Sequence, residues 1–188
     1  MSKQETRTQI IEAALELMGQ ISPEKFSASK LARAAGVSKA TIFHHFQSFD
    51  EVPLAALDLM SEQMLSQPLP KGMTLKESLT LLGDRVFELV KKQRHFLSVY
   101  FAFFTRALFD PSLKKRLSVS LRLARKQIEA LIEEQGFDAP TTKQIAYTTL
   151  VVLDGISMHL LIQSNESELK QIWNTFTECI LLNHRGGR

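Results

Sequence analysis

Residues 27–46 read SASKLARAAGVSKATIFHHF, and the order of residue types in this stretch decides how the chain is read. Ser27 stands where a helix wants an N-cap, ahead of a short helical run over 28–35 that turns Leu31 and Ala32 inward. Gly36 lends its permissive backbone to a turn, and Ser38 can cap a second helix from Lys39 to His45. Two short helices joined by three or four residues that include a glycine are the grammar of a helix-turn-helix. Leu31, Ala32, Ala35, Val37 and Ile42 supply small apolar contacts at a steep crossing, and alanine suits it because the backbones must approach closely. The second helix is then free to project. Its first residues, Ser38, Lys39, Ala40 and Thr41, are short or basic, which suits entry into a DNA major groove that admits one helix and presents base edges and the thymine methyl.

Charge supports that reading locally. The whole chain carries 23 Lys and Arg against 20 Asp and Glu, a net +3 too mild to argue for nucleic acid by itself. Residues 27–49, however, hold Lys30, Arg33, Lys39, His44 and His45 and no acid, while acids flank them on both sides. Residues 1–66 together hold six cations and eight acids, so binding must be local. The plain alternative is an ordinary helical hairpin with a solvated charged face, and the coincidence of the acid-free island with the turn weighs against it.

Working outward, helical periodicity dominates and strand-like alternation is essentially absent. A first helix is expected from Lys3 to Gly19 with Ile10, Ile11, Ala14, Leu15 and Met18 on one stripe, and a fourth over the apolar segment Asp50 to Met64. The segment Gln67-Pro68-Leu69-Pro70-Lys71-Gly72 is the clearest breaker. Beyond it, helices are expected near 74–93, 95–108, 111–135, 141–164 and 167–183, punctuated by Pro111, Gly136, Pro140 and Ser164-Asn165. The expected fold is all-α, about nine helices, with an N-terminal helix-turn-helix three-helix domain over 1–49 and, over 50–188, a connector helix plus a helical ligand-binding and dimerisation domain. At 188 residues, 44% hydrophobic and 23% charged, with 8 Gly and 6 Pro, the chain can bury a core, and collagen-like and disordered classes are excluded. No apolar run reaches the ~18–20 uncharged residues of a membrane span and the N-terminus is polar, so a cytoplasmic protein is expected. Cys179 is the only cysteine, which excludes an intramolecular disulfide and a multi-cysteine zinc site; its apolar helix face suggests a core position rather than a redox sensor.

The stretch LARAAGVSKATIFHHF, with a first helix ending before Phe26, resembles the tetracycline-repressor-like (TetR/AcrR) family of transcriptional regulators over about 45 residues. The resemblance implies a dimeric, ligand-responsive DNA-binding regulator, most often a repressor, that reads a palindromic operator. Carried over by position, Ser38, Lys39, Ala40 and Thr41 would meet bases or nearby phosphates, Phe43 and His44 would sit at the DNA backbone, and Ser27 would cap its helix near phosphate. The family commonly has Gly at 40, Tyr at 43 and 45, and Lys at 49, where this chain has Ala40, Phe43, His45 and Phe49. Two phosphate contacts are thereby lost and weaker non-specific affinity is expected, unless Lys30, Arg33, Lys39 or the two histidines compensate.

The C-terminal part matches that family only in architecture. Leu79, Leu82, Val86, Phe87 and Val90, then Phe96, Tyr100, Phe101, Phe103, Phe104 and Phe109, supply more large apolar groups than one helical seam uses. They either close-pack or line an apolar cavity. The family's habit of binding effectors there implies a ligand site built from Phe87, Tyr100, Phe104, Leu121, Tyr147, Val151, Asp154 and Met158, for an apolar or amphipathic small molecule. Asp154, in the apolar stretch LVVLDGISMHLL, needs a partner: a structural bond to Arg106, Arg122 or Tyr147 is the plainer reading, a ligand anchor the sharper one. Gly155 beside it is tolerable in a helix where another helix, or a second subunit, crosses closely. The surplus apolar faces of the last two helices suggest an isologous homodimer. Lys114, Lys115, Arg116, Arg122, Arg125 and Lys126 form an acid-free run that reads as a solvated helix face opposite Leu113, Leu117, Leu121, Leu123, Ala124 and Ile128.

No phosphate-cradling glycine loop, GxSxG elbow or HExxH occurs, and the five histidines lack metal spacing, so no catalytic residue, metal or cofactor is called for and an enzyme is not expected. An all-α apolar-ligand binding protein, or a small helical enzyme with a degenerate helix-turn-helix, stays open as the alternative because of Phe43 and Phe49.

Overall fold

The structure is a computed structural model that describes residues 2–66, 70–163 and 165–186, with the backbone alone at 23 and 183–186. Among the described residues it is all-α, with nine α-helices, a single 3-10 turn and no strand. The breaker at 67–69, the punctuating Ser164 and the side chain of His184 lie outside the described residues.

The chain divides into two compact units, one of residues 1–66 with 98–120 and one of 67–97 with 121–188. The first unit opens with α1 (Lys3–Gln20), which starts at a capping box: the Glu5 amide donates to Ser2 Oγ at 3.2 Å and the Ser2 amide donates to Glu5 Oε2 at 2.8 Å. A 3-10 turn (Pro23–Lys25) leads to α2 (Ala28–Ala34), α3 (Lys39–His45) and α4 (Glu51–Leu65). Ile10, Ile11, Ala14 and Met18 of α1 are buried, as are Val52, Pro53, Ala56, Leu57 and Met60 of α4, which packs on α1. The apolar segment after residue 49 is thus part of the same compact unit as the helix-turn-helix.

Two further helices begin or end in this unit, α6 (Arg94–Ala107) and α7 (Pro111–Glu133). Asp110 caps α7, its Oδ1 accepting from the Ser112 and Leu113 amides at 2.9 and 3.0 Å, with Pro111 in the first-turn place where no amide is needed. From α7, Arg116 donates to the Asp58 carboxylate of α4, and the hydroxyls of Ser120 and Ser61 are 2.7 Å apart. Partial burial raises the Asp58 pKa, opposed by Arg116, abetted by Glu62 and opposed again by Arg7. Phe103, Leu113 and Leu117 are buried, but Leu108 and Phe109 are 76% and 86% exposed. The expectation that Phe109 joins the aromatic core fails because it falls in the turn after α6, past the last residue whose direction helical periodicity controls.

The second unit contains α5 (Leu75–Lys92), α8 (Ala139–Gln163) and α9 (Glu166–Gly186), packed against one another, with the start of α6 and the end of α7. A second capping box, Thr74 with Glu77, starts α5. Helices α5 and α9 run antiparallel: Lys91 pairs with Glu166 at 2.9 Å, Lys170 Nζ lies 5.3 Å from the Phe87 ring centroid, and Gly83 meets Trp173. A Cβ built on Gly83 would lie 2.6 Å from Trp173 Cδ1 and 2.8 Å from Cε2, and against Nε1 as well, so glycine is what lets the indole seat there. No helix of the same chain crosses closely at Gly155, since a Cβ there meets nothing within 4 Å.

Helix α8 is long and apolar enough to cross a membrane by composition alone. Its apolar residues divide between two faces instead. Ala146, Leu153, Ile156 and Leu160 are buried against the unit, whereas Tyr147, Val151, Met158 and Ile162 are exposed on the other side. Cys179 is exposed, correcting its expected core position: the inward stripe of α9 runs Leu169, Trp173, Thr177, Ile180, and residue 179 falls beside it. In α7, Lys114, Lys115, Arg116, Arg122 and Lys126 are exposed, opposite buried Leu113, Leu117 and Ile128, while Leu123 joins the exposed side at 45%.

Candidate nucleic-acid interface

The geometry of the interface starts at the end of α2. Its last turn closes through two bonds, Gly36 N–H to Arg33 O at 3.3 Å and Val37 N–H to Ala32 O at 2.9 Å. This paired arrangement requires a left-handed residue between them, and Gly36 supplies it at φ +64°. From α1, the Gln9 amide donates to the Ala35 carbonyl at 2.9 Å, fixing the turn to the first helix. Ser38 then ends the turn in extended conformation and caps α3, its Oγ accepting from the Thr41 amide at 3.0 Å. Ser27 does the same at the start of α2 for the Lys30 amide, at 3.5 Å.

Helix α3 is held by one face. Ile42 is fully buried and Phe46, just past its end, nearly so, with the Arg7 guanidinium 5.0 Å above the Phe46 ring. The opposite face is open: Ser38, Lys39, Ala40, Phe43 and His44 are exposed, and Thr41 is half-buried. Of the candidate DNA contacts, Lys30 is exposed and Ser27 half-buried, both at the α2 start rather than on α3. The structure therefore brings Lys39, Ala40, Phe43 and His44 onto one protruding face. The Ser38 and Thr41 hydroxyls are 2.8 Å apart and engage each other.

The departures at 45 and 49 have visible roles. Phe49 stacks on Phe26 with centroids 5.0 Å apart, both rings half-buried, so the side chain at 49 is engaged in an aromatic contact. His45 is half-buried. Burial, then the charges of His44, Lys3 and Arg7, hold its imidazole below the usual histidine range, which disfavours its cationic form. The exposed cations of the island are Lys30, Arg33 and Lys39.

The candidate ligand residues are not gathered in the same way. Tyr100 is buried and Phe104 half-buried within the first unit, their rings 5.0 Å apart, with Phe101 5.3 Å from Tyr100. In the second unit Phe87 is buried and Leu121 half-buried. Tyr147, Val151 and Met158 are 58%, 54% and 43% exposed, so they do not line the interior of that unit. All three lie on the outward side of α8. Asp154 is half-buried and engaged in an interaction, and Tyr147 carries the Arg125 guanidinium at 5.9 Å from its ring centroid. The pairing of Gly83 with Trp173 was missed, because it runs across about half the chain and nothing local marks it. Among the described residues no group of three His, Cys, Asp or Glu is placed to hold a metal.

Residues 10–62 match the model of the bacterial regulatory proteins of the tetR family, and residues 75–181 match the C-terminal part of BetI-type transcriptional repressors. The HTH-type transcriptional regulator BetI of Escherichia coli O17:K52:H18 (strain UMN026 / ExPEC) is 21% identical over 186 residues, covering 95% of this chain and 93% of that protein. A transcriptional regulator from Rhodococcus sp. Rha1 superposes with a TM-score of 0.82 at 22% identity, covering 94% of this chain and 96% of the other. Another, from Saccharomonospora viridis and solved in complex with choline, gives a TM-score of 0.75 at 20% identity, covering 93% and 96%. At these identities the solved structures speak for the fold, and the matched family models speak for descent. The chain belongs to the tetR family of bacterial regulatory proteins and is a ligand-responsive, DNA-binding transcriptional regulator with a BetI-type C-terminal part.

Proposed function

We propose that the protein represses transcription in the cytoplasm as a homodimer, placing α3 of each protomer in the major groove of one half of a palindromic operator. The observation that carries this reading is the protruding face of α3, where Lys39, Ala40, Phe43 and His44 stand clear of the core on a helix whose start is fixed by Ser38 and Gly36. Lys39 is the polar anchor for base or phosphate, Lys30 and Ser27 face the flanking backbone, and Thr41 supports the cap. Phosphate contacts position such a helix and base contacts specify the sequence. Support for the dimer is the apolar outer face of α8, Tyr147, Val151, Met158 and Ile162, with open space over Gly155 in its midst. A second copy crossing there would cover an apolar stripe that water otherwise meets.

The effector is a small amphipathic molecule, and the choline bound to the Saccharomonospora viridis protein supports a cationic head group. The rings of Tyr100, Phe101 and Phe104 are the aromatic surface suited to one, since a quaternary ammonium is attracted to ring faces. Phe87 already has Lys170 over its ring and is less suited to it.

Enrichment of sequences from a random duplex pool tests the proposal in one experiment. A two-fold symmetric sequence with half-sites about 34 Å apart is expected, together with a steep salt dependence. Lys39→Ala is expected to cost about 1–3 kcal/mol at one base position without changing thermal stability. Enrichment of an asymmetric sequence would remove the dimer, and an enriched sequence indifferent to Lys39→Ala would remove α3 as the reader.

A further inference from the structure

The exposed face of α3 is apolar at its centre. Its two hydroxyls, on Ser38 and Thr41, bond to each other at 2.8 Å, and Ser38 Oγ also accepts from the Thr41 amide at 3.0 Å. What remains exposed is Lys39 and His44 and, between them, the Ala40 methyl and the Phe43 ring, which is 49% exposed. Neither Ala40 nor Phe43 can donate to a phosphate oxygen or to a base-edge acceptor. An apolar ring kept in water gains by leaving it only against another apolar group. The apolar group that base edges present in the major groove is the C5 methyl of thymine, and alanine and phenylalanine are among the side chains that contact it. Residues three apart on a helix have Cβ atoms about 5–6 Å apart. With about 3.4 Å between successive bases of a strand, that distance spans one to two base-pair steps.

We propose that Ala40 and Phe43 make this protein a reader of thymine methyl groups, with two thymines one or two steps apart in each half-site. The inference rests on α3 being the helix that enters the groove, and it adds what that helix selects. It also accounts for the pair of substitutions together. A methyl at 40 and a ring without a hydroxyl at 43 exchange polar or neutral positions for apolar ones on the same face.

The test uses the full-length protein and the duplex it enriches from a random pool. Each thymine is replaced in turn by deoxyuridine, which removes the methyl and leaves every hydrogen-bonding group in place, and Kd is measured at one fixed salt concentration. Two positions per half-site are expected to show about fourfold weaker binding per methyl lost, the equivalent of one buried carbon. In Phe43→Ala the sensitivity at one of these positions is expected to vanish, and in Ala40→Gly at the other. Both side chains are exposed, and circular dichroism would verify that each variant keeps its helices. If Phe43→Ala weakens binding while deoxyuridine is tolerated at every position, the ring packs on deoxyribose and the proposal is wrong. Deoxyuridine sensitivity that survives both substitutions equally overturns it as well. An enriched sequence that Lys39→Ala leaves unaltered would instead remove α3 from the groove, and this proposal with it, so the two failures are told apart.

Discussion

Replacing Gly83 by alanine tests the packing of the second unit most directly. In the middle of a helix this change normally stabilises by about 1 kcal/mol, because alanine is the better helix former. Here the added methyl would meet Trp173 Cδ1 at 2.6 Å and Cε2 at 2.8 Å, where carbon atoms prefer about 3.5–4.0 Å. The intrusion is roughly 1 Å into a rigid indole that is 4% exposed and has no free end to swing aside. Overpacking of this kind costs about 1–3 kcal/mol, and several indole atoms are struck at once, so the top of that range applies. Net of the helix gain, Gly83→Ala is expected to destabilise by about 2 kcal/mol, or to lower Tm by roughly 4–8 °C for a chain of this size. Trp173 is the only tryptophan, so its emission reports on the altered contact while far-ultraviolet circular dichroism follows unfolding in urea. Protein concentration must be held fixed, because any self-association would shift the midpoint. Trp173→Leu and the double variant complete a cycle: the methyl should cost much less once the indole is gone, giving a coupling of at least about 1 kcal/mol. A Gly83→Ala protein as stable as the parent, with an unchanged denaturant slope, would refute the account of why glycine stands there.

The cap of α7 offers a simpler case: Asp110→Ala removes the acceptor of two amide bonds and should cost about 0.5–2 kcal/mol in urea unfolding, with Asp110→Asn or Asp110→Ser restoring most of it. His45 carries a pH dependence. Its folded-state pKa lies below the ordinary value, so the unfolded chain takes up the proton first, and the stability tied to the neutral ring is present above about pH 6.5 and lost as pH falls through the lower folded value. The urea midpoint should therefore drop between pH 7.5 and 5.5 more in the parent than in His45→Gln, and equal drops would remove His45 from the explanation.

The helix-turn-helix was legible because its signals are local. Ser27, Gly36 and Ser38 each act within four residues of their own position, and the caps and the left-handed turn lie where these residues placed them. Helix ends elsewhere followed the same logic, with α4 starting at Glu51 against an expected Asp50 and α5 covering Leu75–Lys92 against 74–93. Direction was harder where a helix is apolar all round. Along α8, periodicity groups Tyr147, Val151 and Met158 correctly but gives no reason to prefer their side or that of Ala146, Leu153 and Leu160 for the interior; only the packing of α5 and α9 decides. Phe109 shows a second limit, since hydrophobicity says what a side chain would gain from burial and not whether the turn carrying it can deliver it. Gly83 and Trp173 show a third: the pairing is set by the antiparallel register of two helices far apart in the chain.

The composition of the first compact unit bears on how the protein is made. Residues 98–120 belong to it although the helix-turn-helix is complete by residue 46, and Arg116 and Ser120 close onto Asp58 and Ser61 across 58 and 59 residues. On the ribosome, the 54 residues between 66 and 120 take roughly 3–11 s to add at about 5–20 residues per second. Throughout that interval α4 would present uncovered flank to the cytosol, available to chaperones and to like segments on neighbouring nascent chains. A gene fragment ending at residue 66 reproduces that unfinished stage permanently. It would yield the complete DNA-facing motif on a unit lacking part of its own wall, so a shortened version intended to isolate the motif needs residues 98–120 supplied as well.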